Sequence, residues 1–164
     1  LETLTDGGQW TVDGEWSTVN GLSSVIDIGC GSGILSVAAL KLGAEIALGV
    51  DIDEAAVKNS RENAENNGIP SEAFLLGVGS VEEVKNGKFA LSRANLVLAN
   101  ILAPVLVRLF DAGLADLIAP GGAIILSGIL EHQARNVIES AQKHGLKLVD
   151  QRQMADWVAL LCAK

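Results

Sequence analysis

VIDIGCGSG, residues 25–33, decides how this chain is read. Three apolar side chains around Asp27 make a buried strand, three glycines make a turn, and the apolar run from Ile34 starts a helix. Glycines at such a turn let a ligand approach the backbone and let the helix lie close to the sheet. Free N–H groups and the helix dipole at that point are expected to favour negative charge. A dinucleotide turn asks for G-x-G-x-x-G, yet the sixth position counted from Gly29 is Ile34. A phosphate loop fails too, since no Gly-Lys-Ser/Thr follows. What remains is G-x-G-x-G at Gly29, Gly31 and Gly33, preceded by Asp27.

Outward from that turn, short apolar runs alternate with helical patterns, the mark of a mostly parallel sheet with helices on both faces. The first strand spans 25–28, and a helix over 34–42 stops at Gly43. EIALGV (45–50) is the second strand, and Asp53 caps a helix reaching Asn66, closed by Asn67 and Gly68. Residues 72–77 form a weaker third strand and 94–99 the fourth. Pro104 suits the first turn of a helix expected to run to Ile118, before PGG at 120–122. AIILSG (123–128) is strand five, and a helix ends at Gly145. The last two strands, 146–152 and 157–163, leave no room for a helix between them, so they pair as an antiparallel hairpin. Seven strands with a final antiparallel one result. Residues 1–24 read as a linker or small hairpin, with Asp13-Gly14 as the turn, and residues 25–164 as one α/β domain.

At 164 residues a chain of this kind buries roughly 68–70% of its unfolded surface, enough for a core without staples. No apolar run approaches the ~20 residues of a membrane span, and LETLTDGGQW lacks the features of a signal peptide. Cys30 and Cys162 are too few for a disulfide framework or a zinc site, which fits reduced thiols in the cytoplasm. The net charge is −8, and the 12 Lys and Arg are scattered. Direct nucleic-acid binding, which needs a local basic patch, is therefore not expected.

Two polar residues sit where an open parallel sheet receives ligands, at the carboxyl ends of its strands. Asp51 ends the second strand some twenty residues past the glycine turn, the usual place of a carboxylate that accepts from ribose hydroxyls. Asp53, by contrast, has its helix cap as an explanation. Asn100 stands alone in the apolar run LVLANILAP (96–104). Burying an amide without partners costs roughly 1–3 kcal/mol, so Asn100 either faces an opening or binds something.

These residues resemble the S-adenosylmethionine-dependent methyltransferases of the seven-stranded Rossmann-like class. More closely they are similar to the ribosomal protein L-eleven methyltransferases, the PrmA family. The resemblance covers residues 25–161 and rests on VIDIGCGSGILSVAALKLGA, GVDID, RENAENNG, LVLANILA, PGGAIILSGIL and WVAL. ANILA with LSGIL is the most particular part. The resemblance implies S-adenosylmethionine as cofactor and methylation of lysine and α-amino groups on that large-subunit ribosomal protein. It implies that Gly29 and Gly31 lie near the amino-acid part of the cofactor and Asp51 on its ribose, with Asp27 and Gly33 of the same loop also among the cofactor-binding residues. Asn100 would lie beside the methyl group. Ser80, in GVGS (77–80), stands where many relatives carry an acidic residue near the adenine. The family's N-terminal recognition domain and its closing segment would precede Leu1, so the chain reads as a catalytic domain alone.

Other candidates have plainer explanations. His132 and His144 fall in the last helical pattern and read as surface residues. Trp157 starts a strand and is expected in the core, although it could line a substrate channel. Ser127 and Gly128 end strand five at the edge where ligands sit, and Cys30 needs no redox role. Two other functions compete with protein methylation. One is a methyltransferase acting on a small molecule or nucleic acid, and the other is a cofactor-binding fragment without activity.

Overall fold

A computed structural model describes the backbone of residues 8–10 and 16–18 and all of residues 23–164. The two short strands, β1 (Gly8–Trp10) and β2 (Trp16–Thr18), pair antiparallel with Trp10 opposite Trp16. The Asp13-Gly14 turn expected to join them lies outside the described residues.

From Ser24 the chain alternates strand and helix: β3 (Ser24–Ile28), α1 (Ile34–Lys41), β4 (Ile46–Asp51), α2 (Glu54–Asn66) and β5 (Phe74–Val78). It continues with α3 (Val81–Lys85), β6 (Ala94–Asn100), α4 (Ala103–Asp111), β7 (Ile118–Leu130) and α5 (Glu131–Lys143). The hairpin β8 (Lys147–Met154) and β9 (Trp157–Ala163) closes it. The seven strands from β3 onward form one sheet in the order β5-β4-β3-β6-β7-β9-β8. All neighbours are parallel except those of β9, which runs against both β7 and β8. From β3 the chain winds outward through β4 and β5, then returns to β6 on the other side. The switch point, where open α/β sheets bind ligands, therefore lies between the ends of β3 and β6.

Alternation along the strands divides the core. Ile26, Ile28, Leu48, Val50, Val97 and Ala99 face the side covered by α3, α4 and α5. Val25, Ala47, Phe74 and Leu98 face α1 and α2. All of these are at most 6% exposed. Burying a large aliphatic side chain is worth about 1.5–3 kcal/mol, so this double-sided core fixes register, and a one-residue slip would exchange the two sets.

Two expectations need correction. The helix from Pro104 does not reach Ile118: α4 ends at Asp111, Gly113 turns the chain at φ 101°, and a 3₁₀ turn covers Leu114–Leu117. Leu114, Leu117 and Ile118 are fully buried there, so packing against the sheet wins over helical continuity. Strand five then starts at Ile118 and passes through PGG, with a register shift against β6 between Ala94 and Leu96. The second correction is α3, absent from the sequence reading. Its signal was present as S-x-x-E, with the Ser80 N–H donating to the Glu83 carboxylate at 2.8 Å. The smaller differences are at the ends of β5 and of β8.

Candidate functional site

The glycine turn is held from three directions. The N–H groups of Gly29 and Cys30 both donate to the Val50 carbonyl, at 2.8 and 3.0 Å, and that of Gly33 donates to the Cys30 carbonyl at 2.7 Å. The Gly31 N–H donates to Asp51 Oδ2 at 3.0 Å. From α2, Ser60 Oγ donates to the Gly31 carbonyl at 2.8 Å, and the Asn63 amide donates to the Ser32 carbonyl at 3.0 Å. This overturns the expectation of free N–H groups awaiting an anion. Four amides of the turn already have protein partners, so the loop is not built as a phosphate nest.

Gly29, Gly31 and Gly33 have φ of 69°, 56° and 73°. The requirement for glycine is sharpest at Gly29, where an added Cβ would stand 2.8 Å from Ile101 Cδ1. That contact seats the turn against the start of the segment following β6. At Gly31 an added Cβ would meet nothing within 4 Å, so this residue borders open space at the crown of the loop.

The acidic residues divide by burial. Asp27 is 1% exposed and accepts from Ser36 Oγ at 2.8 Å. Burial pushes its carboxyl up to about 6, against the lowering effect of the Ser36 bonds. Asp51 is half-buried, and its second oxygen accepts the Asp53 N–H at 3.0 Å. Asp51 thus has a structural role that its position in the sequence did not show: it ties the glycine loop to the start of α2. A carboxylate has about four lone-pair sites, so capacity remains on both oxygens. Asp53 caps α2 as expected, accepting from the Ala55 N–H at 2.9 Å. Ser80 caps α3 beyond the end of β5, and the Gly79 N–H donates to the Asp51 carbonyl at 2.9 Å, so the ends of β4 and β5 are joined. Burial pushes the Cys30 thiol up to about 11, so it stays protonated at neutral pH beside Ser60 Oγ, 3.5 Å away.

Asn100 ends β6 with its side chain exposed. Its Cα partner on β7 is Ser127, and the Ile101 N–H donates to the Ser127 carbonyl at 3.1 Å. The amide lies over Gly128, where an added Cβ would stand 2.7 Å from Asn100 Oδ1. On this side opens a cleft of about 450 Å³, lined by Asn100, Ser127, Gly128, Arg152, Met154 and Trp157 among others. Trp157 is 51% exposed, and so it belongs to the cleft wall and not to the core where it was expected. Met154 opposite is 79% exposed. The two-residue turn between them holds Ala155 at φ 52°, the only described non-glycine residue with positive φ. The two histidines lie elsewhere. His132 is exposed, while His144 is partly buried, stacked on Phe110 with Nδ1 2.8 Å from the Ser140 carbonyl.

Asn100 therefore stands between two unlike surfaces, the bonded glycine loop toward β3 and β4 and the open cleft toward β7 and β9. The set fits a ligand with a cationic centre and vicinal hydroxyls better than one with a pyrophosphate. Carboxylates lie at the loop, its amides are engaged, and the crown at Gly31 has room. Among the described residues, no group of three or more potential ligand side chains could hold a metal ion.

Comparison with known proteins is consistent with this geometry. The family model for ribosomal protein L11 methyltransferase (PrmA) matches residues 14–164. The ribosomal protein L11 methyltransferase of Chromohalobacter salexigens is 43% identical over 138 residues, covering 84% of this chain and 44% of the relative. That of Halalkalibacterium halodurans is 34% identical over 145 residues, covering 88% and 44%. The crystal structure of ribosomal protein L11 methylase from Lactobacillus delbrueckii subsp. bulgaricus superimposes with a TM-score of 0.73 at 29% identity, covering 86% of this chain and 69% of that one. The chain spans less than half the length of these curated relatives.

Proposed function

Because the chain belongs to the ribosomal protein L11 methyltransferase (PrmA) family, we propose that it is the S-adenosylmethionine-binding domain of a protein N-methyltransferase. Its substrates are lysine and α-amino groups of that large-subunit ribosomal protein, in the cytoplasm. The observation that carries this reading is Asn100, an exposed neutral amide set between the glycine loop and an open cleft.

The geometry supports the roles that the family resemblance implies. Gly31, with room at its crown, and Gly29 border the amino-acid part of the cofactor. Asp51 keeps lone pairs for the two ribose hydroxyls. Gly33 and the buried Asp27 hold the loop and the start of α1 behind them, and Ser80, at the end of β5, faces the adenine. S-adenosylmethionine, when bound, would supply an electrophilic methyl with the sulfur as its leaving group. Asn100 Oδ1 accepts a hydrogen bond from the neutral amine and aims its lone pair; positioning of this kind accounts for much of the rate in such transfers. The methylated nitrogen then gives its surplus proton to water, so no protein base is required.

A labelled-methyl assay with purified large-subunit ribosomal proteins tests the proposal, with a full-length relative as positive control. Label on amines of the L11 protein is the expected result. Label on RNA or on a small molecule, with the protein unlabelled, would replace this reading by the second kind of methyltransferase. Binding of the cofactor without any transfer would identify a cofactor-binding fragment.

A further inference from the structure

The peptide unit at Gly31 is fixed at both of its polar groups by side chains distant in sequence. Its N–H is taken by Asp51 of β4 at 3.0 Å and its carbonyl by Ser60 of α2 at 2.8 Å. The next carbonyl, Ser32, is taken by Asn63 of α2 at 3.0 Å. Asp51 also accepts the Asp53 N–H, and Asp53 caps α2. The bonds close a ring that runs from loop to β4, through the cap into α2, and back to the loop. Ser60 is fully buried, and an added Cβ on Gly33 would stand 3.0 Å from its hydroxyl oxygen, so α2 and loop are in direct contact.

We propose that Ser60 and Asn63 are positioning residues for the cofactor, holding the crown of the glycine loop in its binding conformation through the Gly31 and Ser32 carbonyls. Neither has to touch the ligand. A glycine-rich loop released from such restraints samples many conformations, and a ligand must then order it on binding, which weakens affinity without changing the contacts made. On this account Ser60, and Asn63 in the RENAENNG segment that follows it, matter for the bonds they make to the loop. The inference rests on the proposed cofactor site.

Calorimetric titration with S-adenosylhomocysteine tests it, in the wild-type chain and in the variants Ser60→Ala, Ser60→Thr and Asn63→Ala. The dissociation constant is expected to rise about 10-fold in Ser60→Ala and about 3- to 10-fold in Asn63→Ala, as for loss of one loop-ordering hydrogen bond. Ser60→Thr, which keeps the hydroxyl, is expected to recover most of the affinity. Thermal melts without ligand accompany each titration, and Asn63, only half-buried, covers the case in which Ser60→Ala fails to fold. Wild-type affinity in folded Asn63→Ala, or a lowered melting temperature with an unchanged dissociation constant, would overturn the inference and leave only a structural role. No binding by the wild-type chain would instead overturn the cofactor site itself.

Discussion

The two sides of Asn100 are built on opposite plans. Toward β3 and β4, the amides of Gly29, Cys30, Gly31 and Gly33 are all bonded, and Asp27, Ser36 and Ser60 are buried. Toward β7 and β9, the cleft is walled by the exposed Trp157 and Met154 and ends in a turn with Ala155 in a left-handed conformation. One side is ordered in advance by its own chain, as suits a small ligand of fixed shape. The other exposes apolar surface and a backbone conformation that costs an alanine about 1–2 kcal/mol, the side on which the proposed protein substrate would bind.

The two sides meet at Asn100, where substitution should have the largest effect. Asn100→Ala is expected to lower turnover about 100-fold or more, in the range found for loss of one group aligned with the reacting centre, while cofactor affinity stays within about 3-fold. Kinetics and calorimetry on the same preparation check this, and equal loss of both would place Asn100 on the cofactor side alone.

The ordered side should also carry a signature in pH. Asp27 has its carboxyl raised from 3.8 to about 6 by burial. Between those values the unfolded chain releases the proton that the folded chain keeps, so stability falls as pH rises from about 4 to 6 and levels off above. The loss is on the order of 3 kcal/mol. Asp27→Asn should remove this slope, and denaturant melts from pH 4 to 8 would show it. A slope that survives the substitution would assign it to other groups.

Asp51→Ala is expected to weaken cofactor binding about 10- to 100-fold, since it removes a charged acceptor and frees two backbone donors at once. Turnover at saturating cofactor should change far less, the reverse of Asn100→Ala. The smallest effect belongs to Gly128→Ala. Its Cβ would press on Asn100 Oδ1 from 2.7 Å, so turnover should fall about 10-fold with cofactor affinity unchanged. Wild-type turnover in that variant would show that the amide can be displaced freely.

What the sequence disclosed depended on how local each feature is. The glycine turn, the Asp53 cap, the alternation of strands and helices along the chain and the closing hairpin each follow from residues close in sequence, and all were legible. Asn100 was found because a polar side chain in an apolar run has few explanations. The end of α4 at Asp111 was hidden because a single glycine, Gly113, is compatible with either a helix interior or a stop, and only burial of Leu114 and Leu117 decides. The bonding of the loop was hidden for another reason: the groups on β4 and α2 that engage Gly31 lie 20 to 29 positions away. Trp157 was misplaced because an aromatic at a strand start fits core and cleft wall alike, and what decides is its position at the mouth of the β8–β9 hairpin.

A glycine loop with its amides already engaged is expected to take S-adenosylmethionine and not a pyrophosphate. Parallel calorimetric titrations of the chain with S-adenosylmethionine and with NAD distinguish the two. Saturable binding of S-adenosylmethionine near one per chain is expected, with no heat from NAD. Binding of NAD, at the expense of S-adenosylmethionine, would contradict it.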